Sequence, residues 1–267
     1  MAGKHSKKKE QHSRSQLRFG PSAPQSRPDV MWDWFDVLLI SITLVIAFFV
    51  SSNVVQSTLA QLLPGSGQAM LRLILVLVFY VIEILVVVYI AHRHNYRFST
   101  LYRLRSEKDD LETPLQWVIN GVISLLLVAG LLLLTQALAR GWTIMTANYG
   151  WEPSSTGDLL TMFGTTPVSI AIAVFSVVVL APFIEEIIFR GVFLATFETM
   201  MAPWVAILIT ALLFAIYHAS IWAFVPHVML GIALGYLATT RKTLWPAIAL
   251  HALYNAVLMA AAFYLSL

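Results

Sequence analysis

The chain has 267 residues, 58% of them hydrophobic and only 12% charged. Soluble domains carry about a quarter charged residues, so too little polar surface is left to wrap a water-exposed core, and a bilayer is the expected solvent. There is no cysteine, which excludes a disulfide scaffold, thiolate catalysis and cysteine-ligated zinc.

Segment 1–36 holds Lys4, Lys7, Lys8, Lys9, Arg14, Arg18 and Arg27 against Glu10, Asp29, Asp33 and Asp36. Ser, Gln, Gly and Pro fill most of the rest, a composition that cannot bury enough apolar surface to order itself. It is expected to be a disordered basic tail on the cytoplasmic side, touching anionic lipid. A nucleic-acid partner is not expected, because the tail leads into a membrane span and lacks interleaved aromatics. The charged region is too long for a cleaved signal peptide, so the first apolar run is a retained anchor.

Hydropathy places spans near 37–57, 71–91, 115–138, 167–190, 204–221, 223–240 and 243–266. The 92–114 loop carries Arg93, Arg97, Arg103, Arg105 and Lys108, and the 241–242 turn is Arg-Lys. Seven spans from an inside N-terminus put the tail and both of these segments on one side, as the positive-inside rule requires. Trp32, Trp34, Trp117, Trp142, Trp204, Trp222 and Trp245 fall near span ends, where aromatic belts form. The expected architecture is an all-α, polytopic transmembrane bundle. Its parts are a tail at 1–36, N-terminal membrane helices over 37–140, an outer loop over 141–166 and a chemically active region over 167–267.

From Leu159 to Leu267 there are six formal charges. Arg241 and Lys242 sit in a turn, Glu198 is expected at the inner interface, and Glu185, Glu186 and Arg190 lie within a span. A charge at the bilayer centre costs at least ~2.5–3.5 kcal/mol, so such residues are functional candidates. Three clusters result: Glu185-Glu186-x-x-x-Arg190, Phe214-x-x-x-His218 and His251-x-x-x-Asn255. Positions i and i+4 share a helix face, so Glu186 can pair with Arg190, and His251 with Asn255. Glu185 points ~100° away from Glu186, which leaves it free to act as a base beside a structural ion pair. Pro182 lacks an amide donor and can kink this span. Counted inward at 1.5 Å per residue, Glu185 lies ~20 Å deep, His218 ~21 Å, His251 ~12 Å and Asn255 ~18 Å. These depths allow them to meet within the membrane.

The three motifs, in this order on successive C-terminal spans, resemble the CAAX-protease and bacteriocin-processing family of intramembrane proteases. The resemblance covers roughly 167–266. It implies that Glu185 activates a water for attack on a peptide carbonyl and that His218 holds or polarises that water. His251 and Asn255 would stabilise the oxyanion, Glu186 with Arg190 would fix the helix, and Phe214 would pack under the His218 ring. An Asn amide aimed at developing charge is worth ~3–4 kcal/mol. Glu185, His218 and His251 are also a possible ligand set for zinc with an open position for water; a metal-free glutamate mechanism fits as well. The implied partners are membrane lipids and a protein or peptide substrate, lipidated or leader-bearing, in a setting that suits a bacterial cytoplasmic membrane. The H-E-x-x-H helix of zinc proteases is absent, as are the serine motif of rhomboids and the G-x-G-D signature of presenilin-like enzymes.

The alternative is a non-proteolytic membrane protein, an immunity factor, scaffold or small transporter that keeps the polar cluster for binding. A transporter should show paired broken helices in both halves, whereas the polar residues here are concentrated in one. Among the other polar residues, His227 is expected at an outer interface, His92 and His94 in solvent, and Glu83 paired with another helix. Gly231-x-x-x-Gly235 is expected to bring two helices of the fold close together.

Overall fold

The computed structural model describes residues 33–49, 65–95, 104, 114–149, 166–221 and 223–266. These residues form no strand; they build seven helical rods. The rods are α1 (Trp34–Phe49), α2 (Gly65–Arg93), α3 (Pro114–Ala147), α4 (Pro167–Met200), α5 (Pro203–Tyr217), α6 (Phe224–Arg241) and α7 (Trp245–Ser266). Three segments are long and apolar enough to cross a membrane, Leu73–Arg93, Pro167–Met200 and Trp245–Phe263; Trp34–Ile46 and Pro203–Tyr217 are apolar but shorter. The fold is a helical membrane bundle, and its lipid-facing character shows in exposed side chains such as Leu85, Leu126 and Leu133.

The expected 1–32 part of the tail lies outside the described residues. Its last residues differ from the expectation: Asp36 is fully buried in the first turn of α1, and Asp33 and Asp36 reciprocally cap each other's amides at 2.9 and 3.1 Å. Arg93, at the end of α2, reaches both carboxylates at 2.6–3.1 Å, and the His94 ring lies 2.6 Å from Asp36. His94 is therefore paired rather than free in solvent. The first part of the expected 141–166 loop is also helical, because α3 runs on to Ala147.

α4 is the central rod. Thr166 caps its start by accepting from the Ser169 amide at 3.1 Å, and Pro167 occupies the first turn, where a missing N–H costs nothing. From Ile184 to Ala195 every residue is buried, as in a helix surrounded on all sides by protein. Two stretches of α4, Phe175–Leu180 and Ile187–Leu194, are wound as π-helix on either side of Glu185 and Glu186. Such widened turns concentrate at functional sites.

α5 and α6 pack face to face. A Cβ on Gly231 would lie 2.8 Å from the Ala211 backbone, and one on Gly235 would lie 3.1 Å from Ile207. The glycine pair is therefore a contact within the fold. α5 stops earlier than hydropathy predicts: His218 is its C-cap, and Ala219 adopts φ 47°, a left-handed conformation uncommon outside glycine. α6 ends on Lys242, also left-handed, which turns the chain into α7.

Candidate active site

Glu185 and Glu186 project from the middle of α4, His218 from the end of α5 and His251 from α7. The Glu185 Oε2 atom lies 3.8 Å from His218 Nε2 and 3.9 Å from His251 Nε2. It has no hydrogen-bond partner and is buried. Three residues separated by up to 66 positions are thus brought to one point by three helices.

The ring orientations follow from the other nitrogens. His218 Nδ1 is 2.8 Å from the Phe214 carbonyl oxygen, which can only accept, so Nδ1 carries the proton and Nε2 presents a lone pair to Glu185. His251 Nδ1 is 2.9 Å from Glu186 Oε1. That same oxygen accepts Arg190 Nη1 at 2.8 Å, so it serves as an acceptor and His251 also donates from Nδ1. Both Nε2 lone pairs therefore face the free oxygen of Glu185. Gaps of 3.8 and 3.9 Å are too long for direct hydrogen bonds. Gaps of this size leave room for a bridging water that donates one hydrogen to Glu185 and the other to an imidazole Nε2.

Arg190 is completely buried and held on several sides. Nη1 binds Glu186, Nη2 donates to the Gly231 carbonyl at 3.2 Å, and the guanidinium lies 4.6 Å from the centre of the Phe214 ring. That geometry is a cation–π contact. Phe214 is the hub of the aromatic packing: its ring centre is 4.5 Å from His218, 5.6 Å from His251 and 5.9 Å from His227.

Zinc draws four ligands to 2.0–2.3 Å, which brings their donor atoms to ~3.3 Å from one another. Among the described residues, Asp33, Asp36 and His94 form the group of three whose ligand atoms all lie within 4.8 Å of one another. Arg93 already bridges those two carboxylates, so the cluster is neutralised by a cation of the chain itself. Glu185, His218 and His251 are a suitable donor set in kind but are spread wider than a zinc site. No chemical step below is routed through a metal.

Asn255 does not reach the Glu185 group with the bond it makes. Its side-chain amide donates to the Val177 carbonyl of α4 at 2.9 Å. Two features escaped the sequence. His227, expected only as an interfacial residue, stacks on His218 with ring centres 3.9 Å apart and an interplanar angle of 24°, its own Nδ1 bound to the Ala223 carbonyl at 2.7 Å. Glu83 is buried with both carboxylate oxygens unpartnered, beside Ile188 of α4, rather than paired across helices. A lone histidine after a proline and a lone glutamate in an apolar run carry no local pattern that predicts either placement.

Residues 167–257 match the protein family described as "Type II CAAX prenyl endopeptidase Rce1-like". Over this stretch the chain is similar to that family. The match covers about a third of the chain and contains Glu185, Glu186, Arg190, Phe214, His218, His251 and Asn255. A curated relative named "Putative membrane peptidase YdiL", from Bacillus subtilis (strain 168), is 24% identical over 149 residues. That alignment covers 56% of this chain and 57% of the relative, so the chain spans little more than half of the relative's length. No solved structure matches this chain. The Rce1-like region coincides with α4–α7, the part of the bundle in which the polar residues meet.

Proposed function

We propose that this protein is a membrane endopeptidase that hydrolyses a peptide bond with a water activated by Glu185. The observation that carries the reading is the unpartnered, buried Glu185 oxygen faced at 3.8 and 3.9 Å by the Nε2 lone pairs of His218 and His251. The match to a family described as prenyl endopeptidases and the membrane-peptidase name of the relative support the same class of chemistry.

A water that donates one hydrogen to Glu185 and the other to His251 Nε2 gives its first proton to Glu185 as its oxygen attacks the peptide carbonyl. Carbonyl π electrons move onto oxygen to give the oxyanion. His251, oriented by Glu186, receives the water's second proton at Nε2 as the carboxylate product forms. Glu186 stabilises the resulting imidazolium, as a carboxylate behind a histidine does in other hydrolases. When the C–N bond breaks, Glu185 returns its proton to the leaving amine. General-base catalysis of this kind contributes ~10²–10⁴-fold. Burial among apolar side chains strengthens each electrostatic step relative to water.

The substrate class is a membrane-associated protein or peptide, carrying a lipid or a leader that brings it to the bilayer. The positive charge of the basic tail, the 92–114 loop and the 241–242 turn supports a cytoplasmic N-terminus under the positive-inside rule. The test is proteolysis by the purified protein in lipid vesicles, with prenylated, unprenylated and leader-bearing peptides. Wild type should cleave one class, and Glu185→Gln, shown to be folded, should not. Absence of cleavage across all classes would favour the binding or immunity role.

A further inference from the structure

Pro182 stands three residues before Glu185, immediately after a π-helical stretch whose hydrogen bonds run from N–H(i) to C=O(i−5). The register is fixed by the Ala181 amide, which donates to the Ser176 carbonyl. The next amide in that pattern belongs to residue 182 and the next carbonyl to Val177. Residue 182 is proline and has no N–H. The Val177 carbonyl is therefore left without its helical partner in a span where no water is at hand. Unsatisfied backbone groups are expensive there. The Asn255 side chain of α7 donates to this oxygen at 2.9 Å.

We infer that Asn255 is a positioning residue: it replaces the amide that Pro182 lacks, and so locks α7 to the helix that carries Glu185. The same two helices hold the other half of the lock one turn away on α7, where His251 meets Glu186 at 2.9 Å. Two side chains at i and i+4 on α7 thus clasp α4 on either side of Glu185, one through a backbone oxygen and one through a carboxylate. The clasp sets the distance between Glu185 and His251, which the chemistry needs. Its catalytic consequence rests on the protease reading above, but the hydrogen-bond replacement does not.

The test is a double-mutant cycle of Asn255→Ala and Pro182→Ala in the full chain, reconstituted in lipid, read by thermal unfolding and by kcat and KM. Asn255→Ala alone should lower the unfolding midpoint by about 2–8 °C, the range expected for one orphaned buried carbonyl, and reduce kcat ~10-fold with KM held. Pro182→Ala restores an N–H at position 182. Added to Asn255→Ala, it should recover most of the midpoint and most of kcat. The inference is overturned if Pro182→Ala returns neither quantity, or if Asn255→Ala removes ~10²–10³ of kcat with an unchanged midpoint, the signature of a lost oxyanion donor. Should wild type cleave no peptide, the protease reading fails while the unfolding cycle still decides the lock.

Discussion

At Glu186 one carboxylate oxygen accepts both the Arg190 guanidinium and the His251 ring, so a residue expected to be structural also orients the imidazole that faces Glu185. The pairing with Arg190 was legible because the two residues lie four apart on one helix. The bond to His251 was not, since it joins positions 65 apart through a contact that only packing creates. His227 teaches the same lesson from the other side of the site. It lies flat against His218, a residue at a helix end followed by the left-handed Ala219, and so adds a stacked face to the ring that the Phe214 carbonyl already holds through Nδ1. His227→Ala should therefore lower kcat about tenfold while leaving KM within twofold, and His227→Phe, which keeps the stack, should recover most of the loss. Steady-state kinetics on the two variants check this; full loss in both would assign His227 a proton-transfer role instead.

At the scale of the element, α4 explains why some of the site resisted prediction. Its burial from Ile184 to Ala195 is complete, so apart from Glu185, Glu186 and Arg190 its sequence is apolar and carries no periodicity that could mark a change from α to π winding. Only Pro182 hinted at irregular backbone. The α5–α6 contact, by contrast, was announced by two glycines four apart. Gly231 has two duties there: it lets α6 approach Ala211, and its carbonyl receives Arg190. Gly231→Ala should push the helices apart, loosen the Arg190 bond and destabilise the protein by about 1–3 kcal/mol, the usual penalty for overpacking a close contact. Thermal unfolding in detergent measures it. Gly235→Ala, whose Cβ would meet only the Ile207 side chain at 3.1 Å, should be milder.

Across the whole molecule, composition alone led to a helical membrane bundle, and charge scarcity picked out the span whose Glu185 and Glu186 meet His218 and His251. Sequence could not show how the N-terminal rods α1 and α2 join one another, because they are tied by polar contacts at a boundary where charges are common. Arg93 closes that boundary over Asp33 and Asp36. Its hydrogen bond is the main reason the Asp33 carboxyl falls from 3.8 to about 2. A folded-state value below the unfolded one adds stability above the unfolded value and loses it as pH falls through about 2. Stability of wild type should therefore decline over that acid range. Arg93→Gln should shift the decline upward, towards the ordinary carboxylate range, as acid unfolding curves can register. The pair is exposed at Asp33, so high salt should blunt the difference.

The most direct test of the central claim is cleavage of one membrane-associated peptide by wild type and Glu185→Gln in the same vesicles, with and without a strong divalent-metal chelator. The lone Glu185 oxygen, its two facing imidazoles and their wide spacing predict that wild type cleaves equally in both conditions. Glu185→Gln, equally folded, should lose at least ~10³-fold in kcat. Equal cleavage by the two proteins would remove Glu185 from the reaction and contradict the account. Loss of wild-type cleavage on chelation, restored by added zinc, would contradict the metal-free water mechanism and show that the three donors close around an ion.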